Sequence, residues 1–295
     1  MSQSATEQLH KDAKGLDARD AAEMAAILAA GQQAAAGAVD GAVGSICAGA
    51  KSMAASLQTS GSLYYIAAGS SGLMAAADAM ELGGTFGIPA SRINILMAGG
   101  VPTSAEMPGD TEDDRDALTT ALANLSAADT ILAVSASGTT PYTMEAVRIA
   151  KPTGATVIGI ANNPDTPLLK AADHAILLPT PPEVISGSTR MGAGTAQKIA
   201  LNMLSTLMAK ELGHIHDGMM VNMHADNTKL RGRARQIVRT IAKVDDATAS
   251  AALKTTGGAL KPAILIAAGA ETAEAAQALL DSSKGHLRPA LQRLT

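Results

Sequence analysis

Short apolar runs alternate with longer segments of helical periodicity between about residue 60 and residue 180. Few polar residues interrupt these runs, which indicates strands that are buried on both faces. Strands that alternate with helices predict an α/β fold, with a five-stranded parallel sheet covered by helices. We predict strands over residues 63–67, 93–97, 130–134, 156–160 and 174–178, and helices over residues 73–82, 113–125 and 142–150.

The segments outside this alternation are mainly helical in pattern. Residues 1–20 are polar and predict an arm, whereas the alanine-rich stretch 21–57 predicts two helices with a break near residue 40. Farther along, the pattern predicts helices over 193–212 and 219–242, then short helices with one apolar stretch, 263–268. We therefore expect an arm (1–20), a main domain (21–244) and a small C-terminal helical subdomain (245–295).

The composition limits what the core can contain, because Tyr64, Tyr65, Phe86 and Tyr142 are the only aromatic residues. The core must therefore consist of Ala, Leu, Ile, Val and Met side chains. Small side chains allow helices to pack closely, but each of them buries little area. Additional burial between subunits would increase stability, which favours an oligomer.

Charge and cysteine content argue against several classes of partner and location. The formal net charge of −4 gives no electrostatic basis for binding nucleic acid or an anionic membrane. The single cysteine, Cys47, excludes an internal disulfide framework and agrees with a reducing, cytoplasmic location. We see no signal-peptide pattern, and no uninterrupted apolar run is long enough for a membrane span.

Two loops rich in Ser and Gly each follow a predicted strand and precede a predicted helix, at residues 69–72 and 135–140. Such a loop offers an anion the free N–H groups of the helix start together with several hydroxyl donors. In parallel sheets, ligands bind beyond the carboxyl ends of the strands. The pair of loops therefore predicts a phosphate site, although each loop alone could be an ordinary turn. The candidate phosphate ligands are Ser70, Ser71, Ser135, Ser137, Thr139 and Thr140.

Other nucleotide and catalytic motifs fit these loops less well. Residues 67–72 have alanine where a dinucleotide-binding motif requires its first glycine, and no Walker-type Gly-Lys-Ser/Thr follows. Residues 136–138 resemble a nucleophile elbow only faintly, because Gly-x-Ser-x-Gly is absent. His214, His216 and His224 lack the spacing of a metal site, so we expect surface or capping roles for them and no metal.

Two carboxylates are candidates for acid–base chemistry. Glu81 is predicted near the C-terminal end of the helix after the first loop, where the helix dipole disfavours a negative charge. This placement can indicate function, or simply a solvated residue. Glu112 lies in an acidic segment at a predicted helix start, where acids are stabilising and Thr111 can act as the cap. A structural role is the simpler explanation of Glu112 from composition alone.

Several longer motifs together resemble one family. The longest is residues 182–198, Pro-Glu-Val-Ile-Ser-Gly-Ser-Thr-Arg-Met-Gly-Ala-Gly-Thr-Ala-Gln-Lys, which residues 201–206 extend. The other matching segments are residues 6–7, 16–17, 68–72, 78–87, 98–100, 112–114, 136–142, 227 and 229–230. With these motifs the chain resembles, almost from end to end, the N-acetylmuramic acid 6-phosphate etherases of the sugar isomerase (SIS) fold, which are related to the glucokinase regulatory protein.

The resemblance implies a SIS-type five-stranded parallel sheet, a homodimer, and a carbon–oxygen lyase that needs no metal or nucleotide cofactor. The implied reaction removes D-lactate from the 3-ether of N-acetylmuramate 6-phosphate by elimination and hydration, giving N-acetylglucosamine 6-phosphate. By position, Glu81 resembles the proton donor to lactate, and Glu112 resembles the base at C2. A carboxyl group that donates a proton near neutral pH must be buried. The implied substrate ligands also include Glu183, Ser188, Arg190 and Lys198.

The chain departs from the family pattern at positions where the family carries cations. Leu73, Thr139 and Gly192 stand in place of Arg, Arg and Lys. Asn222 also replaces Asp, and residues 83–84 are Gly-Gly in place of Pro-Pro. Each lost charge-assisted hydrogen bond would weaken anion binding by about 1.5–3 kcal/mol.

Three explanations of these departures stay open. The substrate could be altered, or other cations, such as Arg190 and Lys198, could compensate. Alternatively, catalysis could be lost while sugar-phosphate sensing is retained. The alternative functions are therefore a non-catalytic sugar-phosphate-binding regulator and an aldose–ketose isomerase on the same fold.

Overall fold

A five-stranded parallel sheet organises the chain, of which this computed structural model describes residues 4–107, 111 and 116–294. The strands pair in the order β2-β1-β3-β4-β5. Their bounds confirm the predicted sheet, and only β4 and β5 differ from the prediction, by one residue each. The strands are β1 (Leu63–Ala67), β2 (Ile93–Met97), β3 (Thr130–Val134), β4 (Thr156–Ala161) and β5 (His174–Leu177).

Helices connect and flank these strands, as the alternating pattern predicts. On the helix that follows β3, Tyr142, Ala146 and Ala150 recur at every fourth position and form the face buried against the sheet. The helices of this part are α1 (Ala21–Ala36), α2 (Val43–Gln58), α3 (Gly69–Phe86), α4 (Asp116–Ala121), α5 (Pro141–Ala150), α6 (Pro167–Ala171) and α7 (Gly192–Glu211).

Helix α3 extends four residues beyond its predicted bounds at each end. Ser70 and Ser71 belong to its first turn, where a loop was expected. At the other end, Gly83 and Gly84 continue the helix because glycine keeps its backbone N–H, which proline lacks.

The predicted helix over residues 219–242 is wrong in its first part. Two short strands, β6 (Ile215–His216) and β7 (Met219–Met220), form an antiparallel pair there. The turn between them contains Asp217 and Gly218, which have φ angles of 46° and 73°. Helix α8 (Thr228–Ala242) begins only after Asn227, whose side chain accepts a hydrogen bond from the N–H of Leu230.

Two compact units divide the chain, one of residues 1–80 and 91–205, the other of residues 81–90 and 206–295. The second unit has its own hydrophobic core beneath α8 and four further helices, and the predicted boundary at residue 245, inside this unit, stays a prediction. Across the described ranges, no helix is long and apolar enough to cross a membrane. The further helices are α9 (Asp246–Thr255), α10 (Leu260–Ala267), α11 (Ala273–Ser282) and α12 (Leu287–Gln292).

Candidate functional site

The two Ser/Gly loops lie side by side at the carboxyl edge of the sheet. Strands β1 and β3 are neighbours, and their last residues, Ala67 and Val134, pair directly in the register. The strand order reverses between β1 and β3. The chain adds β2 on one side of β1, and then adds β3, β4 and β5 in turn on the other side. Ligands of open α/β sheets bind at such a switch point. The predicted phosphate loops therefore occupy the position where this fold class binds its ligands.

The first loop leads directly into the first turn of α3. Gly69 begins the helix with a φ of 54°, and Ser71 is buried while Ser70 is partly exposed. Neither serine hydroxyl has a hydrogen-bond partner in the described ranges. The first N–H groups of a helix have no partner within the helix. The start of α3 thus offers an anion both hydroxyl and backbone donors.

The second loop is held by hydrogen bonds among its own hydroxyl groups. The Ser135 Oγ atom lies 2.8 Å from Thr140 Oγ1 and 3.2 Å from Ser137 Oγ. The hydroxyl and the backbone N–H of Thr139 both donate to Ser137 Oγ, at 3.0 and 3.2 Å. Gly138 has a φ of 71°, and a Cβ atom there would overlap the side chain of Thr166. The four hydroxyl ligands predicted in residues 135–140 therefore belong to one preorganised loop.

Two residues that were not predicted as site residues, Thr6 and Asn163, support this loop from outside. The Asn163 amide donates to the Thr6 hydroxyl at 3.0 Å and to the carbonyls of Ala136 and Ser137 at 3.4 and 3.5 Å. The N–H of Thr6 donates back to Asn163 Oδ1 at 3.4 Å. Part of the predicted arm is thereby fixed against the phosphate loop. The Thr6-Glu7 motif was the only available signal, and its 157-residue separation from Asn163 hides the contact in the sequence.

Glu183 performs a structural task in the described chain. It is buried, and its two carboxylate oxygens accept hydrogen bonds from the N–H groups of Gly192 and Ala193, each at 2.9 Å. These are the first N–H groups of α7, so the carboxylate caps the positive end of the helix dipole. A role as a substrate ligand stays a prediction, and both oxygens are already engaged.

Two cations that were predicted as ligands, Arg190 and Lys198, are exposed and accessible. Neither makes a hydrogen bond or an ion pair to another described residue, and Ser188, two residues before Arg190, is partly exposed. The start of α7 reaches the sheet edge through Gln197, whose amide donates to Asn162 after β4 at 2.9 Å. It also lies near α3, because a Cβ atom at Gly194 would be 4.0 Å from Met74 Cγ.

One of the two predicted catalytic carboxylates, Glu81, lies in the described part of the chain. Glu112 lies outside the described residues. Glu81 is exposed and lies five residues before Phe86, the last residue of α3. Its predicted place at the helix end is wrong, because α3 continues through Gly83 and Gly84 and the helix dipole acts mainly within the last turn. A carboxyl group that donates a proton near neutral pH must be buried, and the described residues of a single chain do not bury Glu81.

The three positions where cations were expected carry neutral residues around the loops. Leu73 on α3 is 37% exposed, and Thr139 is exposed at the tip of the second loop. Gly192 is buried, and a Cβ atom there would lie 3.1 Å from both Ala35 Cβ and Glu183 Oε2. Close packing at residue 192 therefore favours the absence of a side chain. The described residues near these loops that could interact with an anion are hydroxyls, backbone N–H groups and the exposed cations Arg190 and Lys198.

Comparison with known proteins identifies the domain and the fold. A model of the SIS domain matches residues 104–208. A Listeria monocytogenes protein described as a candidate sugar-phosphate isomerase shares the fold, with a TM-score of 0.50 and 16% identity over 65% of this chain and 92% of that one.

Sequence relatives are closer than the solved structures. The N-acetylmuramic acid 6-phosphate etherase of Deinococcus radiodurans is 41% identical over 97% of this chain and 94% of its own length. The etherase of Streptomyces coelicolor is 41% identical over 83% of this chain and 80% of its own. Identity at this level along nearly the whole length shows that the chain belongs to the N-acetylmuramic acid 6-phosphate etherase family.

Proposed function

We propose that this protein cleaves the D-lactyl ether of N-acetylmuramate 6-phosphate, releasing D-lactate and the amino-sugar phosphate N-acetylglucosamine 6-phosphate, in the recycling of cell-wall sugars. The observation that carries the proposal is the pair of Ser/Gly loops beside β1 and β3, in a chain 41% identical to a relative that is named for this reaction. The loops offer hydrogen-bond donors to the phosphate group, and the reaction is inferred from the family.

The proposed reaction runs through the open-chain aldehyde of the sugar. The aldehyde acidifies the C2 proton, which Glu112 removes as general base, and the C3–O bond then breaks. Glu81 protonates the departing lactate oxygen. Water adds to C3 of the unsaturated aldehyde, a proton returns to C2, and the product sugar is complete. Every proton removed is returned, so the net change is hydrolysis of the ether.

Substrate binding in this proposal relies on the donors described above. Ser70, Ser71 and the loop 135–140 bind the phosphate together with the start of α3. Arg190 and Lys198 are the two cations available for the remaining negative charge of the substrate. Two charge-assisted hydrogen bonds would contribute about 3–6 kcal/mol, which offsets much of the loss from the three neutral positions.

The test is release of D-lactate from N-acetylmuramate 6-phosphate by wild type, Glu81→Ala and Glu112→Ala, with the exposed Glu23→Ala as matched control. We expect wild type and the control to release lactate, and both catalytic variants to lose most of this activity. No release by wild type would refute the etherase function. Formation of a ketose phosphate instead would identify an isomerase.

A second candidate, a sugar-phosphate-binding regulator without catalysis, is favoured by the neutral Leu73, Thr139 and Gly192 and by the exposure of Glu81. Such a protein would keep the phosphate loops and lose turnover. Thermal stabilisation by N-acetylglucosamine 6-phosphate, with no lactate release from the substrate, would decide for this function.

We further propose that the protein is a cytoplasmic homodimer. The exposed apolar surface of α1 is the evidence for the dimer. Among its sixteen residues, all of them described, only Ala35 is buried, although the helix is apolar around most of its circumference. A helix of this kind is normally covered. Met80, 60% exposed beside Glu81 on α3, is a further uncovered apolar side chain. Light scattering of wild type should give twice the mass of one chain. Ala25→Glu, which places a charge on α1, should give the mass of a single chain.

A further inference from the structure

Asp78 is a buried carboxylate that the proposed reaction does not use. It lies on α3, two helical turns after Ser71 and on the same face, and only 5% of its surface is exposed. Aspartate is almost never buried to this extent unless it is paired. Burial raises the pKa of Asp78 above its usual value, and hydrogen bonds and one nearby cation only partly oppose this shift.

Three neutral donors from two other elements converge on the Asp78 carboxylate. From β1, the Tyr65 hydroxyl donates to Oδ2 at 3.1 Å. From α7, the Asn202 amide and the Ser205 hydroxyl donate to Oδ1, at 2.8 and 2.9 Å. One side chain of α3 is thereby tied to a central strand and to the long helix α7, all within the first unit.

The cation that acts on Asp78 is Lys198, whose charge favours the ionised carboxylate. Lys198, Asn202 and Ser205 follow each other at spacings of four and three residues, so they share one face of α7. No ion pair within 4.0 Å joins Lys198 to Asp78 among the described residues. The lysine is exposed, and its charge stays available to a ligand.

Stability alone does not explain a carboxylate at this place. An asparagine could keep the two hydrogen bonds that Oδ1 accepts and donate from its NH2 group to the Tyr65 hydroxyl, whereas the charge of an aspartate costs hydration on burial. The hydrogen bonds do fix the rotation and the axial position of α3 against α7. These two helices carry Ser70 and Ser71 at one start, and Arg190 and Lys198 around the other.

We propose that Asp78 is a positioning residue of the phosphate site, which holds α3 against α7 and orients Lys198 toward the same anion that Ser71 binds. The proposal rests on the proposed phosphate site and not on lactate release. With three expected cations replaced by neutral residues, the position of Lys198 becomes a main determinant of affinity.

The test is a double-mutant cycle between Asp78→Asn and Lys198→Met, read as the dissociation constant for N-acetylglucosamine 6-phosphate by calorimetry. Asparagine keeps the shape and one acceptor oxygen and removes the charge. We expect Asp78→Asn to weaken binding by about threefold to tenfold when Lys198 is present, and to have little effect in the Lys198→Met background. The midpoint of thermal unfolding, Tm, should change little, because the new NH2 group can donate to the Tyr65 hydroxyl and no backbone N–H loses its acceptor.

Asp129→Asn is the matched control, because Asp129 is 6% exposed and also accepts three hydrogen bonds, but precedes β3 at the opposite edge of the sheet. It should leave the dissociation constant unchanged. An effect of Asp78→Asn that is equal in both backgrounds, or unchanged affinity, would overturn the positioning role. If Asp78→Asn does not fold, Ser205→Ala removes one donor, keeps the charge and serves in the same cycle.

The two proposals can fail separately. Wild type that binds N-acetylglucosamine 6-phosphate without releasing lactate from the substrate would refute the etherase function and leave the cycle informative. Lactate release with no coupling between Asp78 and Lys198 would refute only the positioning role.

Discussion

The Glu183 carboxylate should stabilise the chain before any ligand binds, and Glu183→Gln tests this directly. Both oxygens accept first-turn N–H groups of α7, and the residue is buried. Glutamine has nearly the same size but turns one acceptor oxygen into an NH2 group that faces a backbone N–H. The substitution therefore removes one charge-assisted hydrogen bond and leaves one buried N–H without a partner.

The expected loss follows from these two effects. A hydrogen bond to a charged group contributes about 1.5–3 kcal/mol, and a buried donor without a partner costs about 1–3 kcal/mol. Because the two effects describe partly the same contact, we expect a net loss of about 2–4 kcal/mol. With an unfolding entropy of about 2.1 cal/mol/K per residue, the 295-residue chain should lose about 3 to 6 °C in Tm.

The assay is thermal unfolding of the unliganded protein, followed by calorimetry with N-acetylglucosamine 6-phosphate. Glu23→Gln is the control, because Glu23 lies in the first turn of α1 but is exposed, and it should change stability by less than about 0.5 kcal/mol. An unchanged Tm for Glu183→Gln together with lost affinity would refute the capping role and favour a substrate ligand.

Three further predictions concern the loops and one partly buried histidine. Ser137→Ala should weaken binding of N-acetylglucosamine 6-phosphate about tenfold by calorimetry, with the fold intact by circular dichroism; unchanged affinity would count against the loop as phosphate site. Gly138→Ala should destabilise the chain by more than about 1 kcal/mol in urea titrations, because its positive φ and its contact with Thr166 exclude a side chain, and a neutral effect would contradict this geometry. Burial lowers the pKa of His214 to about 4 from its usual 6.5, so the unfolded chain takes up this proton first. Stability should therefore fall by up to about 3 kcal/mol as the pH decreases from 6.5 to 4, and a His214→Gln variant with the same slope would disprove this origin.

The sheet could be predicted nearly to the residue because each strand has a compact apolar run with polar or glycine-rich boundaries. Strand β3 is the clearest case, since all five of its residues are buried. For residues 219–227 the same reasoning wrongly predicted a helix. Methionines and a valine give this segment a helical pattern, but it begins as a short strand and continues as a loop. The turn at Asp217 and Gly218 was the local signal that outweighed periodicity.

The candidate site was predictable as a set of hydroxyl-rich loops but not in its internal contacts. Sequence pattern located Ser135 and Thr140, yet their hydrogen bond depends on the loop conformation that Gly138 permits. Glu183 was predicted as a ligand because it lies in the motif of residues 182–198. A motif gives the identity of residues and does not show which atoms are in contact. Glu81 was placed near the end of a helix predicted over residues 73–82, whereas the helix continues through Gly83 and Gly84 to Phe86.

The contact between Thr6 and Asn163 also constrains the order of events during synthesis. A ribosome reaches Asn163 157 residues after Thr6, which takes roughly 8 to 30 s at 5–20 residues per second. During that interval the N-terminal segment has no Asn163 to contact. The second loop therefore gains this support only after β4 has been made, so a nascent chain shorter than about 163 residues carries the phosphate loop in sequence without this part of its scaffold.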